Sequence, residues 1–258
     1  MTENRNLTAS IVLFNEDYQM LHETIECFLK IEKYNTKLYL IDNSKRNSFQ
    51  GKFQNDKIEY QGSEKNIGFG KGHNLILDKI KTHSDFHLIL NPDVTFSETI
   101  IDQLIDELEK DQELALVAPK VLFPNGEFQH SCRRYPSLLE MFFRRLPIFN
   151  GLSKSIIDRG IYADKDLSQP FYAEYLTGCF HLYKTEDLLE LKGFDHRYFL
   201  YMEDVDICRK IDESGKKKLY YPKVEIFHVL KQGSTKNIKL FLRHTISMIK
   251  YFYKWSLK

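Results

Sequence analysis

The sequence predicts an α/β fold built on a mostly parallel sheet, and two patterns carry that prediction. Apolar runs of strand length at residues 9–14 (ASIVLF), 37–41 (KLYLI), 86–90 (FHLIL) and 114–118 (LALVA) alternate with segments of helical spacing. Strands alternating with helices in this way build parallel sheets with right-handed crossovers. Two of the runs also end in turn-forming polar residues, Asp42-Asn43-Ser44 and Asn91-Pro92-Asp93. In such sheets the ligand binds outside the carboxyl ends of the strands.

The first run is apolar throughout, as a strand covered on both faces requires. Residues 17–30 follow with Met20, Leu21, Ile25, Phe28 and Leu29 at helical spacing. A second strand at 37–41 and a short third at 58–61 lead to KNIGFGKGHN (residues 65–74), which opens a helix to about Lys81. The fourth strand ends in Asn91-Pro92-Asp93. A helix is expected over 97–110, with Ser97 as its cap, and then the fifth strand. From Pro119 the pattern changes: 128–136 is polar and basic, and 137–172 reads as mixed helix and loop. Order returns at 174–183 (EYLTGCFHLY), then a helix through Leu191. Residues 198–209 (YFLYMEDVDICR) pass from aromatic and apolar to Glu203, Asp204 and Asp206. Acids favour the positive end of a helix dipole, which predicts a helix from Glu203 to about Ser214 with Val205, Cys208 and Ile211 buried. Residues 218–229 read as one or two strands interrupted by Pro222. The organisation expected is one domain, 1–235, followed by a basic amphipathic helix, 236–258.

Lys and Arg total 37 against 36 Asp and Glu, which argues against a global polyelectrolyte partner such as nucleic acid. The tail differs: from Phe227 onward there are seven Lys or Arg and no acid. Four cysteines lie far apart with no CxxC pair and no signal peptide, arguing for a reduced, cytoplasmic setting and against structural zinc. No apolar run approaches the ~18 residues of a membrane span, so a soluble or peripheral protein is expected.

Asp93, a single carboxylate after an apolar strand, suits Mg²⁺ or Mn²⁺ together with phosphate oxygens and water; Asn-Pro-Asp also serves as a plain turn. Gly68, Gly70 and Gly72 alternate in a spacing that matches neither the dinucleotide fingerprint nor the Walker loop, yet permits close backbone approach to a ligand. Asp42 could accept hydrogen bonds from a nucleobase or ribose. Arg133 and Arg134 could meet phosphate through their planar forks. His228 could be a metal ligand or phosphate donor, although a lone His is more often structural. Glu203 and Asp204 could be rigid carboxylates facing a cleft, or simple capping acids beside an Asp206–Lys210 pair.

The strings IVLFN, IDNS, NIGFGKGHN, LNPDV, YLTGCFHLYK and GFDHRYFLYMEDVDICRK together resemble the family-2 glycosyltransferases of the GT-A fold. Within them they resemble the bacterial rhamnosyltransferases that build lipopolysaccharide O-antigen and capsule. The resemblance runs from Ala9 to about Ser234. LNPDV and FLYMEDVDICR, more than 100 residues apart, are specific jointly and weak singly. It implies a GT-A nucleotide-diphospho-sugar transferase with a Rossmann-like, mostly parallel central sheet. It further implies metal-dependent, inverting transfer from a nucleotide sugar, expected to be dTDP-rhamnose, to a lipid-linked saccharide or polysaccharide. On that resemblance Asp93 holds Mg²⁺ or Mn²⁺, with His228 as a second candidate ligand. Asp42, Asn66, Gly68, Asn74 and Asn91 serve the donor, and Gly178 leaves room for its sugar. Asp204 is the expected general base, with Glu203 beside it. Two departures stand out. The Asp-x-Asp metal motif is here Asn91-Pro92-Asp93, and the late His-x-x-Gly-x-Ser pattern is spaced as His228, then Gly233-Ser234. A hexose or galactofuranose donor fits the same strings. So does a non-catalytic nucleotide-sugar-binding assembly partner, against which the intact Asp93 and Asp204 argue.

In the tail, Ile238, Phe241, Leu242, Thr245, Ile249 and Phe252 fall on one helical face, and Lys239, Arg243, Lys250 and Lys254 on another. Tyr253 and Trp255 add interfacial aromatics. The pattern suits a helix lying on the inner, anionic face of the cytoplasmic membrane, and equally a helix docked on the domain with a solvated basic side.

Overall fold

The computed structural model describes residues 5–45, 48–63, 65–143, 152–230 and 237–256; Gly233-Ser234 and the boundary drawn before residue 236 lie outside them. Four parallel strands form one side of the sheet: β1 (Asn6–Leu13), β2 (Asn35–Asp42), β3 (Ile58–Gly62) and β4 (Phe86–Leu90). Between β1 and β2 lies α1 (Tyr18–Leu29), opened by Asp17, whose carboxylate accepts the Met20 N–H at 3.0 Å. The single helix expected after the glycine segment is two short ones, α2 (Phe69–Asn74) and α3 (Leu77–Ile80). Two glycines within α2 make it a weak helix former.

After β4 come β5 (Val94–Thr95) and α4 (Ile100–Lys110), which starts later than expected. Ser97 is not a side-chain cap: its Oγ lies 2.9 Å from Thr99 Oγ1, and its carbonyl accepts the Ile100 N–H. The fifth predicted strand is β6 (Leu114–Leu122), longer than its apolar run. The middle of the chain adds β7 (Phe128–Gln129), β8 (Cys132–Arg133), α5 (Leu138–Phe143), α6 (Leu152–Gly160), β9 (Phe171–Tyr172) and β10 (Tyr175–Leu176). The last part supplies β11 (Phe180–Lys184), α7 (Thr185–Glu190), α8 (Glu203–Glu213), β12 (Lys217–His228) and α9 (Ile238–Ser256).

The main sheet runs β3-β2-β1-β4-β11-β6-β12-β5. β11 is antiparallel to both of its neighbours, β4 and β6, while β12 is parallel to β6. β12 is one strand, yet its register with β6 shifts between Tyr221 and Glu225. Pro222 sits in that interval, and a proline has no N–H to give to a ladder. Beyond the shift β12 turns to β5, so that His228 pairs with Val94. Two large apolar clusters fill the protein. One holds Leu21, Ile25 and Phe28 of α1 and Ile101, Leu104 and Leu108 of α4; the other holds Ile76, Ile80, Ile207 and Ile211. A third joins Tyr198, Met202 and Val205 to Tyr251 and Trp255 of α9. No helix among the described residues is long and apolar enough to cross a membrane.

Candidate active site

The β12–β5 pairing brings His228 beside Asp93. Asp93 Oδ1 is buried without a hydrogen-bond partner and lies 3.4 Å from His228 Nε2. The other ring nitrogen, Nδ1, is 3.1 Å from Gln129 Oε1, and Gln129 Nε2 donates to the His228 carbonyl at 2.6 Å. Asn91 Nδ2 lies 3.4 Å from His228 Nε2. Burial opposes a charge on His228, but Cys179 and Asp93 outweigh it and hold the imidazole at about 10. Asp93 Oδ1, without a hydrogen bond and 3.4 Å from His228, is a carboxylate oxygen that a divalent cation could take up, and His228 would join it as a ligand only once the cation displaces the Nε2 proton. Among the described residues no three His, Cys, Asp or Glu side chains converge as a metal cage. A cation held here would therefore complete its shell with substrate phosphate and water, the habit of Mg²⁺.

The second acid site is built on strain. Tyr201 and Met202, just before α8, have φ of 71° and 70°, a left-handed conformation that costs L side chains about 1 kcal/mol or more and needs surrounding support. It delivers Glu203 and Asp204 into the first turn of α8. Glu203 is buried with Oε2 unpartnered. Asp204 Oδ2 accepts the Gly178 N–H at 3.2 Å and the Tyr175 OH at 3.1 Å; Oδ1 accepts the Val205 N–H at 2.9 Å. Burial, and then the Asp204 charge, raise the Glu203 carboxyl. Desolvation raises Asp204 as well, but the N–H groups of Gly178 and Val205 and the Tyr175 hydroxyl pull it back. Both carboxyls are thus raised by burial, and of the two it is Asp204 that the surrounding donors hold.

The two acid sites meet at one strand end. Asn91 N–H donates to the Cys179 carbonyl at 2.9 Å, and the neighbouring Gly178 N–H holds Asp204. Gly178 lies directly against Asp204. A Cβ there would stand 3.0 Å from Asp204 Cβ, so the space it leaves is used by Asp204 and not by a sugar alone.

The glycine segment also packs closely on the protein. Gly68 has φ +94°, and a Cβ there would lie 2.2 Å from the Phe199 carbonyl; Phe69 N–H donates to that carbonyl at 3.1 Å. Asn66 Oδ1 accepts the Gly68 N–H at 2.9 Å. Asn74, expected at the donor, clamps the Phe194 backbone through Nδ2 to its carbonyl (2.7 Å) and Oδ1 from its N–H (2.9 Å). Asp42 stands at the predicted strand end but turns inward. It is fully buried and accepts from Ser44 N–H, Phe49 N–H and Tyr60 OH, holding its own loop. The two arginines part company. Arg134 forms a two-pronged pair with Asp164 (2.8 and 2.7 Å), so it is committed within the chain. Arg133 pairs in β8 with Tyr175 and keeps a buried, unpartnered Nε. Sequence reading missed Tyr175 and Gln129. Both lie in two-residue strands, and the side chains they hold, Asp204 and His228, come from much later in the chain.

Between β1 and β4 runs a buried polar chain. His73 Nδ1 lies 2.7 Å from Ser10 Oγ, Ser10 Oγ 2.9 Å from His87 Nε2, and His87 Nδ1 2.6 Å from Thr8 Oγ1. Burial lowers His73 well below its ordinary value, His87 to about 3 and His181, in β11, to about 4. All three imidazoles are neutral at pH 7.

α9 faces otherwise than its stripes suggest. Ile238, Ile249 and Tyr253 are 69%, 63% and 67% exposed, whereas Trp255 is 7% exposed. Three of the four basic residues reach back to the domain: the Arg243 guanidinium lies 4.1 Å from the Phe199 ring centroid, Lys250 donates to the Arg197 carbonyl, and Lys254 binds Asp195 and Asp206. Ile238, Leu242 and Ile249 of the apolar stripe are left to solvent, as are Lys239, Arg243 and Lys250, and the docked face is that of Tyr251 and Trp255.

The family model described as Glycosyl transferase family 2 matches residues 8–191. The chain is 27% identical over 152 residues to the N-acetylglucosaminyl-diphospho-decaprenol L-rhamnosyltransferase of Mycobacterium tuberculosis, a match covering 56% of this chain and 47% of that protein. To the rhamnosyltransferase WbbL of Escherichia coli K12 it is 25% identical over 169 residues, covering 62% and 60%. The first match thus spans about half the length of its relative. The crystal structure of GalNAc-T7 with UDP, GalNAc and Mn²⁺ shares the fold, with a TM-score of 0.66 at 18% identity over 88% of this chain and 43% of that one.

Proposed function

The chain belongs to glycosyl transferase family 2, and on that premise we propose that it is an inverting, metal-dependent rhamnosyltransferase. Its donor is dTDP-rhamnose and its acceptor a lipid-linked saccharide of a cell-surface polysaccharide. The observation that carries the reading is the shared strand end, where Cys179 ties the Asp93 loop and Gly178 ties Asp204. An acceptor hydroxyl is a poor nucleophile and loses its proton as it attacks. Asp204, held by the Gly178 and Val205 N–H groups and the Tyr175 hydroxyl, takes that proton. Asp93 and His228 would hold the divalent cation, which supplies charge neutralisation for the departing diphosphate. Arg133, with its free Nε, serves the acceptor's phosphate. Residues 1–235 form the transferase domain, and α9 is the appended helix. Its exposed Ile238, Leu242, Ile246, Ile249 and Tyr253 support contact with the inner face of the cytoplasmic membrane, where a lipid-linked acceptor resides.

A thermal-shift screen of nucleotide sugars with and without Mn²⁺ tests the reading, since a ligand that binds only the native state raises apparent stability. dTDP-rhamnose is expected to raise Tm in the presence of Mn²⁺ and much less in its absence. A shift with UDP-hexoses alone would replace rhamnose. No shift with any nucleotide sugar would overturn the transferase reading.

A further inference from the structure

α9 contacts the segment that leads into Glu203 and Asp204 at nearly every residue. Lys250 Nζ donates to the Arg197 carbonyl at 2.8 Å, and Ser247 Oγ to the Leu200 carbonyl at 2.9 Å. The Arg243 guanidinium lies over the Phe199 ring, and the His244 ring centroid is 4.9 Å from that of Tyr201. Met202 and Val205 pack with Tyr251 and Trp255. The grip is tightest at Asp206, which is fully buried and two residues beyond Asp204. Its carboxylate accepts from Lys254 Nζ at 2.7 and 2.8 Å, from Trp255 Nε1 at 2.9 Å and from Tyr198 OH at 3.1 Å.

A left-handed Tyr201-Met202 step persists only where its surroundings over-determine it, and α9 supplies those surroundings. We infer that Lys254 and Trp255 are positioning residues for the acid pair: by gripping Asp206 they fix the first turn of α8, and with it the direction in which Asp204 faces its substrate. The inference rests on the reading of Asp204 as the base. A misplacement of about 1 Å in a reacting group costs as much as ~10² in rate, so loosening this turn acts on kcat while the Asp93 site, on other strands, keeps its donor affinity.

The test uses Trp255→Phe, which removes one donor to Asp206 and keeps an aromatic ring, together with Lys254→Met and Lys254→Arg. Two readouts are taken: amide hydrogen exchange of residues 198–207 in ligand-free protein, and rhamnose transfer from dTDP-rhamnose with Mn²⁺ to a short-chain alkyl-diphospho-N-acetylglucosamine, per donor-binding site. Trp255→Phe is expected to speed exchange in that segment relative to β1 and to lower kcat roughly 10-fold, with donor Kd and acceptor KM within about twofold. Lys254→Met lowers kcat further, and Lys254→Arg restores most of it. If Lys254→Met fails to fold, Trp255→Phe and Ser247→Ala decide alone. Asp204→Asn in the same assay separates the two readings. Transfer persisting in Asp204→Asn overturns the base and this inference together. An inactive Asp204→Asn beside a Trp255→Phe of wild-type kcat, or unchanged exchange at 198–207, overturns the positioning role alone.

Discussion

The two acid sites are opposite solutions to placing a carboxylate at a strand end. Asp93 Oδ1 is buried with no well-formed hydrogen bond and is answered only by the ion pair to His228 at 3.4 Å. Asp204 is wrapped by two backbone N–H groups and a tyrosine hydroxyl. A buried acceptor without a partner costs about 1–3 kcal/mol, and a fold keeps that cost where a ligand relieves it. A carboxylate held by several donors is instead aimed. On the proposed function, the first geometry suits a site completed by a ligand and the second a base set in place beforehand.

That contrast breaks most directly by exchanging the losses. Asp204→Asn is expected to lower transfer at least ~10²-fold with Mn²⁺-dependent donor affinity within about twofold. Asp93→Ala is expected to abolish the metal-dependent part of donor binding. Titration calorimetry and initial rates on both variants check this; a donor-binding defect in Asp204→Asn would merge the two sites into one.

A gentler probe leaves both acids in place. Gly178→Ala puts a Cβ 3.0 Å from Asp204 Cβ, so Asp204 must shift while Asp93 does not. kcat should fall roughly 10-fold with donor affinity retained, and a variant with wild-type kcat would show that Asp204 tolerates displacement.

The histidines sharpen the comparison through stability. His228 is held above its ordinary value by its neighbours at the Asp93 site, whereas His73, His87 and His181 are held below theirs by burial. For these three the folded protein binds protons less readily than the unfolded chain. Their neutral burial therefore costs nothing above the unfolded value near 6.5, and stability falls as pH drops below it towards 4 and 3. Each contributes a slope of at most ~1.4 kcal/mol per pH unit. Urea midpoints between pH 7.5 and 4.5 measure the loss. His87→Asn should flatten the profile, and an unflattened one would place the acid sensitivity in the carboxylates.

The smallest effect is expected at Arg134, whose fork is closed by Asp164. Arg134→Ala should leave kcat and donor Kd within about twofold and lower Tm by at most ~3 °C. Arg133→Ala in the same assay should raise the acceptor KM, and equal effects from the two would remove the distinction between them.

Asp93, Glu203 and Asp204 were legible because each sits where an apolar run stops or a helix begins, a boundary that hydrophobic pattern marks. What pattern cannot mark is which way a side chain turns. Asp42 was found at its strand end but faces Tyr60, Ser44 and Phe49, donors that only the folded loop assembles. At Gly178 the sequence shows a missing side chain, and only the fold shows that Asp204 stands against it. For Lys254 and Trp255 the sequence left a membrane face and a docked helix equally open, because the partner that turns them inward, Asp206, lies far back in the chain. Strand direction is equally silent in a five-residue run such as FHLYK, which is why the antiparallel setting of β11 became visible only in the assembled sheet.

That strand also dictates when the protein can come into being. Phe180 pairs with Leu90 and Leu182 with Val117, so β11 closes a gap between strands made much earlier. Until Lys184 has emerged from the ribosome, β4 and β6 each present a bare edge, the feature that invites pairing with other chains. Contacts of such sequence separation also slow the search for the native state. Refolding from denaturant is accordingly expected to be slow and to lose yield as concentration rises, and concentration-independent refolding within milliseconds would contradict it. The early strands lead to Asp93, yet they cannot be sealed until the late strand arrives.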